Sequence, residues 1–177
     1  MSLALLALST PLAAQSRGGW AAGLAATLGS DWQFEGADFR LLRPAALGLF
    51  EEYSVGLRAG AFYDEAQILG RARGVVGALT FALRTKTATL GEVGTEGVDV
   101  SRVGLDVSVE VAGYAAANSP LPEGKAWFSA AVLPGIRFGR EGQMAAALVV
   151  GPALFVGRES NVHAFFSLRV EVPLAPR

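Results

Sequence analysis

Residues Arg102 to Tyr114 read Arg-Val-Gly-Leu-Asp-Val-Ser-Val-Glu-Val-Ala-Gly-Tyr. The odd positions Val103, Leu105, Val107, Val109 and Val111 form an unbroken aliphatic row. The even positions Arg102, Gly104, Asp106, Ser108, Glu110, Ala112 and Tyr114 are charged, small or polar. Successive side chains of a β-strand point to opposite faces, so this stretch is a ribbon with one apolar and one ionic face. In a water-soluble sandwich or lipocalin-like barrel the charges would face solvent. In a membrane barrel the aliphatics would face lipid and the charges the interior.

The same alternation recurs along the chain. It predicts strands over Trp20 to Leu28, Phe39 to Phe50, Tyr53 to Tyr63, Val75 to Arg84, Arg102 to Tyr114, Ala126 to Phe138, Met144 to Val156 and Val162 to Val172. Between them lie a polar tip (Gly29 to Ala37), a tight connection at Glu51-Glu52 and loops over Asp64 to Gly70 and Ala115 to Lys125. Further turns are expected near Gly94, over Gly139 to Gly142 and over Gly157 to Asn161. Pro44 suggests a bulge or strand edge within the second strand. Eight strands of about 10 to 13 residues exceed the usual 5 to 6 and match the 9 to 11 that a membrane-spanning strand needs.

Composition agrees with dispersed strands. Hydrophobic residues make up 51% and charged residues 18% of the 177-residue chain, with a mean hydropathy of +0.38. No apolar run reaches the roughly 18 residues of a membrane-spanning helix. The chain has no cysteine, which excludes disulfides and thiolate metal sites, and a formal net charge of -1. That charge supplies no basic field for nucleic acid. Residues Met1 to Gln15, with a short apolar run, Pro11, Ala13 and Ala14, read as an export signal without its usual basic start, or as a hydrophobic first strand. The expected organisation is a signal peptide over residues 1–15 and one barrel domain over 16–177, with no metal or cofactor.

Sorting the charges favours the membrane arrangement. The apolar rows carry ionisable residues only at Arg43, Arg71 and Arg73, whereas the opposite rows hold Arg58, Arg84, Arg102, Asp106, Glu110, Arg137, Arg169 and Glu171. The remaining inward residues are mostly Gly, Ala and Ser, sized for a narrow filled interior. Both lysines, Lys86 and Lys125, fall in connections.

In strand count, alternation, aromatic strand ends such as Tyr53 and Tyr63, and the leader, Trp20 to Val172 resembles the small eight-stranded outer-membrane β-barrels of the OmpA/OmpX-like superfamily. The resemblance implies an all-β, antiparallel up-and-down transmembrane barrel in the outer membrane of a Gram-negative-type bacterium. Implied contacts are membrane lipids, lipopolysaccharide and the outer-membrane assembly machinery, and the barrel would be a monomer. One feature departs from the family. Such barrels commonly end on an aromatic residue, and this chain ends Val-Pro-Leu-Ala-Pro-Arg.

With the N-terminus on the periplasmic side, seven of the eight inward charges fall in the periplasmic half, and Glu110 lies nearer the middle. Phe62, Tyr114, Trp127, Phe155, His163 and Phe165 fall in the outer half. The charges read as an ion-pair plug, or as a porin-like pore whose arginine excess favours anions. The aromatic half reads as lumen filling, or as an apolar pocket for a small hydrophobic molecule or acyl chain. The lipid A-modifying barrels raise an enzyme alternative. His163 and Ser167 lie about 13 Å apart along a strand and cannot form a dyad. Ser129 or Glu110 on other strands could still approach His163. No motif around His163 matches those enzymes, so no catalytic residue is assigned.

Overall fold

A computed structural model describes residues 18–29, 32–64, 72–94, 101–117, 128–140 and 143–174. They form nine antiparallel strands: β1 (Gly19–Leu28), β2 (Trp32–Leu47), β3 (Phe50–Asp64), β4 (Ala72–Thr85), β5 (Ala88–Val93), β6 (Ser101–Ala117), β7 (Phe128–Gly139), β8 (Ala145–Val156) and β9 (Ser160–Pro173). Apart from β4 and β5, each strand pairs with its sequence neighbour, and β1 pairs with β9. β4 and β5 both pair with β6, so they act as one stave interrupted at Lys86-Thr87. The result is a closed eight-stave up-and-down barrel. The interruption keeps its hydrogen bonds through threonines: the Val107 amide donates to Thr85 Oγ1 at 3.0 Å, and Thr87 Oγ1 donates to Asp106 Oδ2 at 3.3 Å.

Tracing paired residues around the wall from Gly19 runs through Leu42, Ser54, Ala82, Glu110, Ala131 and Ala153 to His163. Extending the Leu28–Ala164 pairing by one residue brings the trace back to β1 beside Gly29, ten positions beyond its start. With eight staves, that stagger tilts the strands by about 40° to the barrel axis. Both chain ends leave from one rim, where the Leu174 amide donates to the Gly18 carbonyl at 2.8 Å.

Alternation sorts the side chains as the period-two pattern requires. Leu24, Leu57, Leu79, Val109, Val132, Leu148 and Leu168 are exposed on the outer wall, while Ala21, Ala78, Ser108, Leu133, Val149 and Ser167 are buried inside. The core is therefore the lumen.

Several boundaries differ from expectation for local reasons. β2 starts at Trp32, which shortens the polar tip, because Trp32 and Phe34 turn inward and are buried. The β2–β3 turn is Gly48-Leu49, not Glu51-Glu52: Leu47 pairs with Phe50, and Gly48 adopts φ 63°, which only glycine takes readily. Glu52 instead lies in β3 and is buried in the lumen. The bulge suggested by Pro44 is present as a register shift between Pro44 and Leu47. β6 continues through Ala117, and β9 starts at Ser160 after a short turn in which the Gly157 amide donates to the Glu159 carbonyl at 3.0 Å. The leader over residues 1–15, Trp127, Lys125 and the connection over 65–70 lie outside the described residues.

Candidate functional site

The lumen is built in three storeys. At the rim away from the chain termini, β2, β3, β6, β8 and β9 contribute an aromatic block. Trp32 meets Phe62 and Phe155 edge-on, with centroids 4.9 and 4.8 Å apart. His163 lies 4.1 Å from the Trp32 ring and 5.4 Å from Phe155. Phe34, Phe62, Tyr114 and Phe155 continue the contacts at centroid separations of 5.6 to 6.2 Å. Such edge-to-face geometry suits the ring quadrupoles and fills space without a channel. Gly29 is required here, because a Cβ would collide with the His163 imidazole.

Below the rings lies a tier of three arginines and two acids. Arg40 Nε donates to Asp38 Oδ2 at 2.9 Å, and its NH2 donates to Glu110 Oε2 at 2.5 Å. Arg58 NH2 donates to Glu110 Oε1 at 2.7 Å and to Asp38 Oδ2 at 3.3 Å. Its NH1 donates to the Tyr114 hydroxyl at 3.3 Å, and its guanidinium sits 4.6 Å from the centroid of the Phe165 ring. Arg169 approaches Asp38 at 3.4 Å and Glu110 at 3.5 Å, while its Nε donates to Ser167 at 3.0 Å.

A second tier sits nearer the chain termini. Arg84 NH2 pairs with Glu52 at 2.6 Å and its NH1 with Glu171 at 3.1 Å. Arg137 pairs with Asp106 and with Glu171. Formal charges give this tier two cations and three anions, and the tier above three cations and two anions, so the column is neutral. Buried ions need such partners, since an unpaired charge in a low-dielectric interior costs several kcal/mol, on the order of the pair itself. Between the tiers lies a cavity of about 10 Å³ bordered by Arg40, Glu52, Ser54, Arg84, Arg137 and Glu171. That volume holds at most one water.

Of the inward charges read from the sequence, Arg58, Glu110 and Arg169 stand in the upper tier and Arg84, Asp106, Arg137 and Glu171 in the lower. Arg102 joins neither. It lies on β6 below the closed wall, half exposed, 3.0 Å from Glu92 of β5. Sequence reasoning missed Asp38, Arg40 and Glu52, all buried. Phe62, Tyr114, Phe155, His163 and Phe165 meet in one buried cluster with Trp32 and Phe34, and Trp127 lies outside the described residues. Ser129 Oγ donates to the Tyr114 hydroxyl at 3.3 Å, and Glu110 pairs with Arg40 and Arg58.

No known protein family, curated protein or solved structure matches this chain. Its functional reading rests on the site itself: a lumen packed with rings and matched charges, inside a wall whose outer face is apolar.

Proposed function

We propose that the chain is an integral outer-membrane β-barrel of the small eight-stranded class, with its lumen closed and its role structural or exercised through its loops. The observation that carries this reading is the outer wall. From Tyr53 to Tyr63 the outward row of β3 is Tyr, Val, Leu, Ala, Ala and Tyr. The outward rows of β6, β7, β8 and β9 contain no charged side chain among the described residues. Ten residues at about 3.3 Å each, tilted by about 40°, span roughly 25 Å along the axis, the height of the apolar band of an outer-membrane barrel. Aromatic rings mark both edges of the band. Trp20, Tyr53 and Phe138 lie near one rim, with Trp20 stacked on Phe39 and Tyr53 on Phe81 further into the band, while Tyr63 and Phe128 lie near the other.

A water-soluble barrel with this wall would present a continuous apolar surface far larger than the few hundred Å² usual for a soluble monomer. Within this reading His163 is a packing residue, lipids are the solvent of the wall, and no cofactor or nucleic acid takes part. Two measurements test it. The purified chain should require detergent or lipid to stay monomeric; a detergent-free soluble monomer overturns the membrane assignment. In planar bilayers the barrel should show no steady unitary currents, and their appearance would replace the plug with a narrow pore.

A further inference from the structure

We infer that the outer wall binds one molecule of lipid A, the acylated anchor of lipopolysaccharide, through a divalent cation held between Glu35 and a lipid phosphate at the seam of β9, β1 and β2. The inference rests on the membrane reading above, with the N-terminus periplasmic. Both chain termini leave from one rim and Glu35 stands on β2 near the other, so it faces the outer leaflet, where lipopolysaccharide is the lipid. A depression of about 490 Å³ opens beside it on the outward face, within the range of small-molecule sites. Leu24, Phe166 and Leu168 form its apolar walls, and Ala26 and Gly36 its floor. Register gives the hollow a direction. Glu35 pairs with Ala26 and Ala26 with Phe166, while Leu24 pairs with Leu168 two residues nearer the terminal rim. The hollow therefore runs from the carboxylate toward the middle of the band, the course of an acyl chain below its headgroup.

Glu35 decides how the lipid is held. It is an exposed carboxylate on an otherwise apolar stretch of wall, and no ion pair or hydrogen bond reaches it among the described residues. Its ladder neighbours, Ala26 and Ala61, are too small to cover it. Ala61 lies two residues from Tyr63, so the carboxylate stands just inside the aromatic edge of the band, where hydrocarbon gives way to headgroups. Facing a phosphate directly, it would be repelled. A hard divalent cation reverses the sign of that contact. Mg²⁺ or Ca²⁺ takes oxygen ligands from the carboxylate and the phosphate together and fills its other positions with water. The phosphomonoesters of lipid A, largely doubly ionised, hold such a cation better than the singly charged phosphodiester of a phospholipid.

A second copy of the barrel fits the hollow poorly. Two barrels upright in one membrane are related by rotation about the membrane normal, so each residue keeps its depth. The outward cation of β2, Arg43, pairs with Tyr53 at the opposite edge. Eight tilted residues separate it from Glu35, about 20 Å in depth. A partner barrel would therefore leave the Glu35 carboxylate without a counter-ion among the described residues, whereas the cation-bridged lipid supplies one.

The test is native mass spectrometry of the full chain, released from detergent after incubation with equimolar lipid A and phosphatidylglycerol, in Ca²⁺ or in excess chelator. With Ca²⁺, one lipid A should be retained in preference to phosphatidylglycerol. Chelation should lower that retention about threefold to fivefold, the scale of one part-exposed ion pair. Glu35→Gln, which keeps size and removes charge, should bring retention in Ca²⁺ down to the chelated level. In Glu35→Lys the ammonium meets the phosphate directly, so lipid A should be retained with or without Ca²⁺. Ala26→Leu, which fills the floor, should lower retention in both conditions, with circular dichroism confirming that all three variants are folded. Retention by the native chain that ignores chelation, Glu35→Gln or Ala26→Leu matching the native chain, Glu35→Lys still needing Ca²⁺, or equal retention of the two lipids overturns the site. Failure of the membrane reading is separable, because it appears before any lipid is added, as a folded monomer that needs no detergent.

Discussion

Glu110→Gln removes one charge from the middle of the lumen without changing the side chain's size. In the native barrel the Glu110 carboxylate accepts from Arg40 at 2.5 Å and from Arg58 at 2.7 Å, with Arg169 at 3.5 Å, and its side chain is 2% exposed. The variant leaves Asp38 alone against three arginines and raises the upper tier's formal charge from one to two. Removing one member of a buried pair typically costs about 3–5 kcal/mol, because the remaining charge stays desolvated. The amide oxygen can still accept one guanidinium, which places the expectation near the lower end, about 3 kcal/mol. Urea unfolding of the barrel in lipid vesicles, followed by tryptophan fluorescence, should show a lowered midpoint with an unchanged slope. Adding Arg169→Gln should recover part of the loss, because it removes the surplus cation. A loss under about 1 kcal/mol, or a double variant whose losses simply add, would refute the claim that charge matching holds the tier together.

Three further outcomes follow from the wall and its ends. Leu57→Arg, at an outward position 61% exposed near mid-band, should cost about 2–4 kcal/mol in vesicles, where a soluble barrel would tolerate it; equal stability there would count against lipid contact. Gly29→Val should destabilise by about 1–3 kcal/mol in the same urea assay, since its Cβ lands on the His163 ring. Pairing it with His163→Ala should return part of that loss, and an unaltered midpoint in the single variant would contradict the packing described. Arg102→Ala should change stability by less than about 1 kcal/mol, because Arg102 and Glu92 form an exposed pair outside the lumen.

The face each strand presents was legible in the sequence, because a period of two is a local property. Val103 to Val111 needed nothing but alternation to be placed on one face, and Asp106 and Glu110 on the other. Depth was less legible. Arg102 shares the parity of Asp106 but lies four residues nearer the rim, and the stagger of the staves puts that stretch below the closed wall. Parity carries no information about stagger. Asp38 and Arg40 escaped because their neighbourhood breaks the rule twice: Glu35 is charged and outward, and Leu42 is apolar and buried. Reading the alternation back from Phe39 through Ala37 would have exposed both, together with Phe34 and Trp32. Glu52 was misplaced for a different reason. An acidic pair looks like a turn, whereas the turn is set by Gly48, whose positive φ outweighs the apolar Leu47 and Leu49 around it. Arg84 then supplies the partner that lets Glu52 be buried.

The ten charges of the column divide along the chain as well as by depth. Strands β1 to β4 bring Asp38, Arg40, Glu52, Arg58 and Arg84, a surplus of one positive charge. Strands β6 to β9 bring Asp106, Glu110, Arg137, Arg169 and Glu171, a surplus of one negative charge. Neither half of the polypeptide is neutral by itself, and Arg40 and Arg58 meet Glu110, Arg84 meets Glu171 and Asp38 meets Arg169 only across the two halves. Rolling the ribbon shut therefore joins two oppositely charged sheets. Dissolved salt, which screens charges that still face water, acts on the open ribbon and loses its hold once the seam between β1 and β9 has formed.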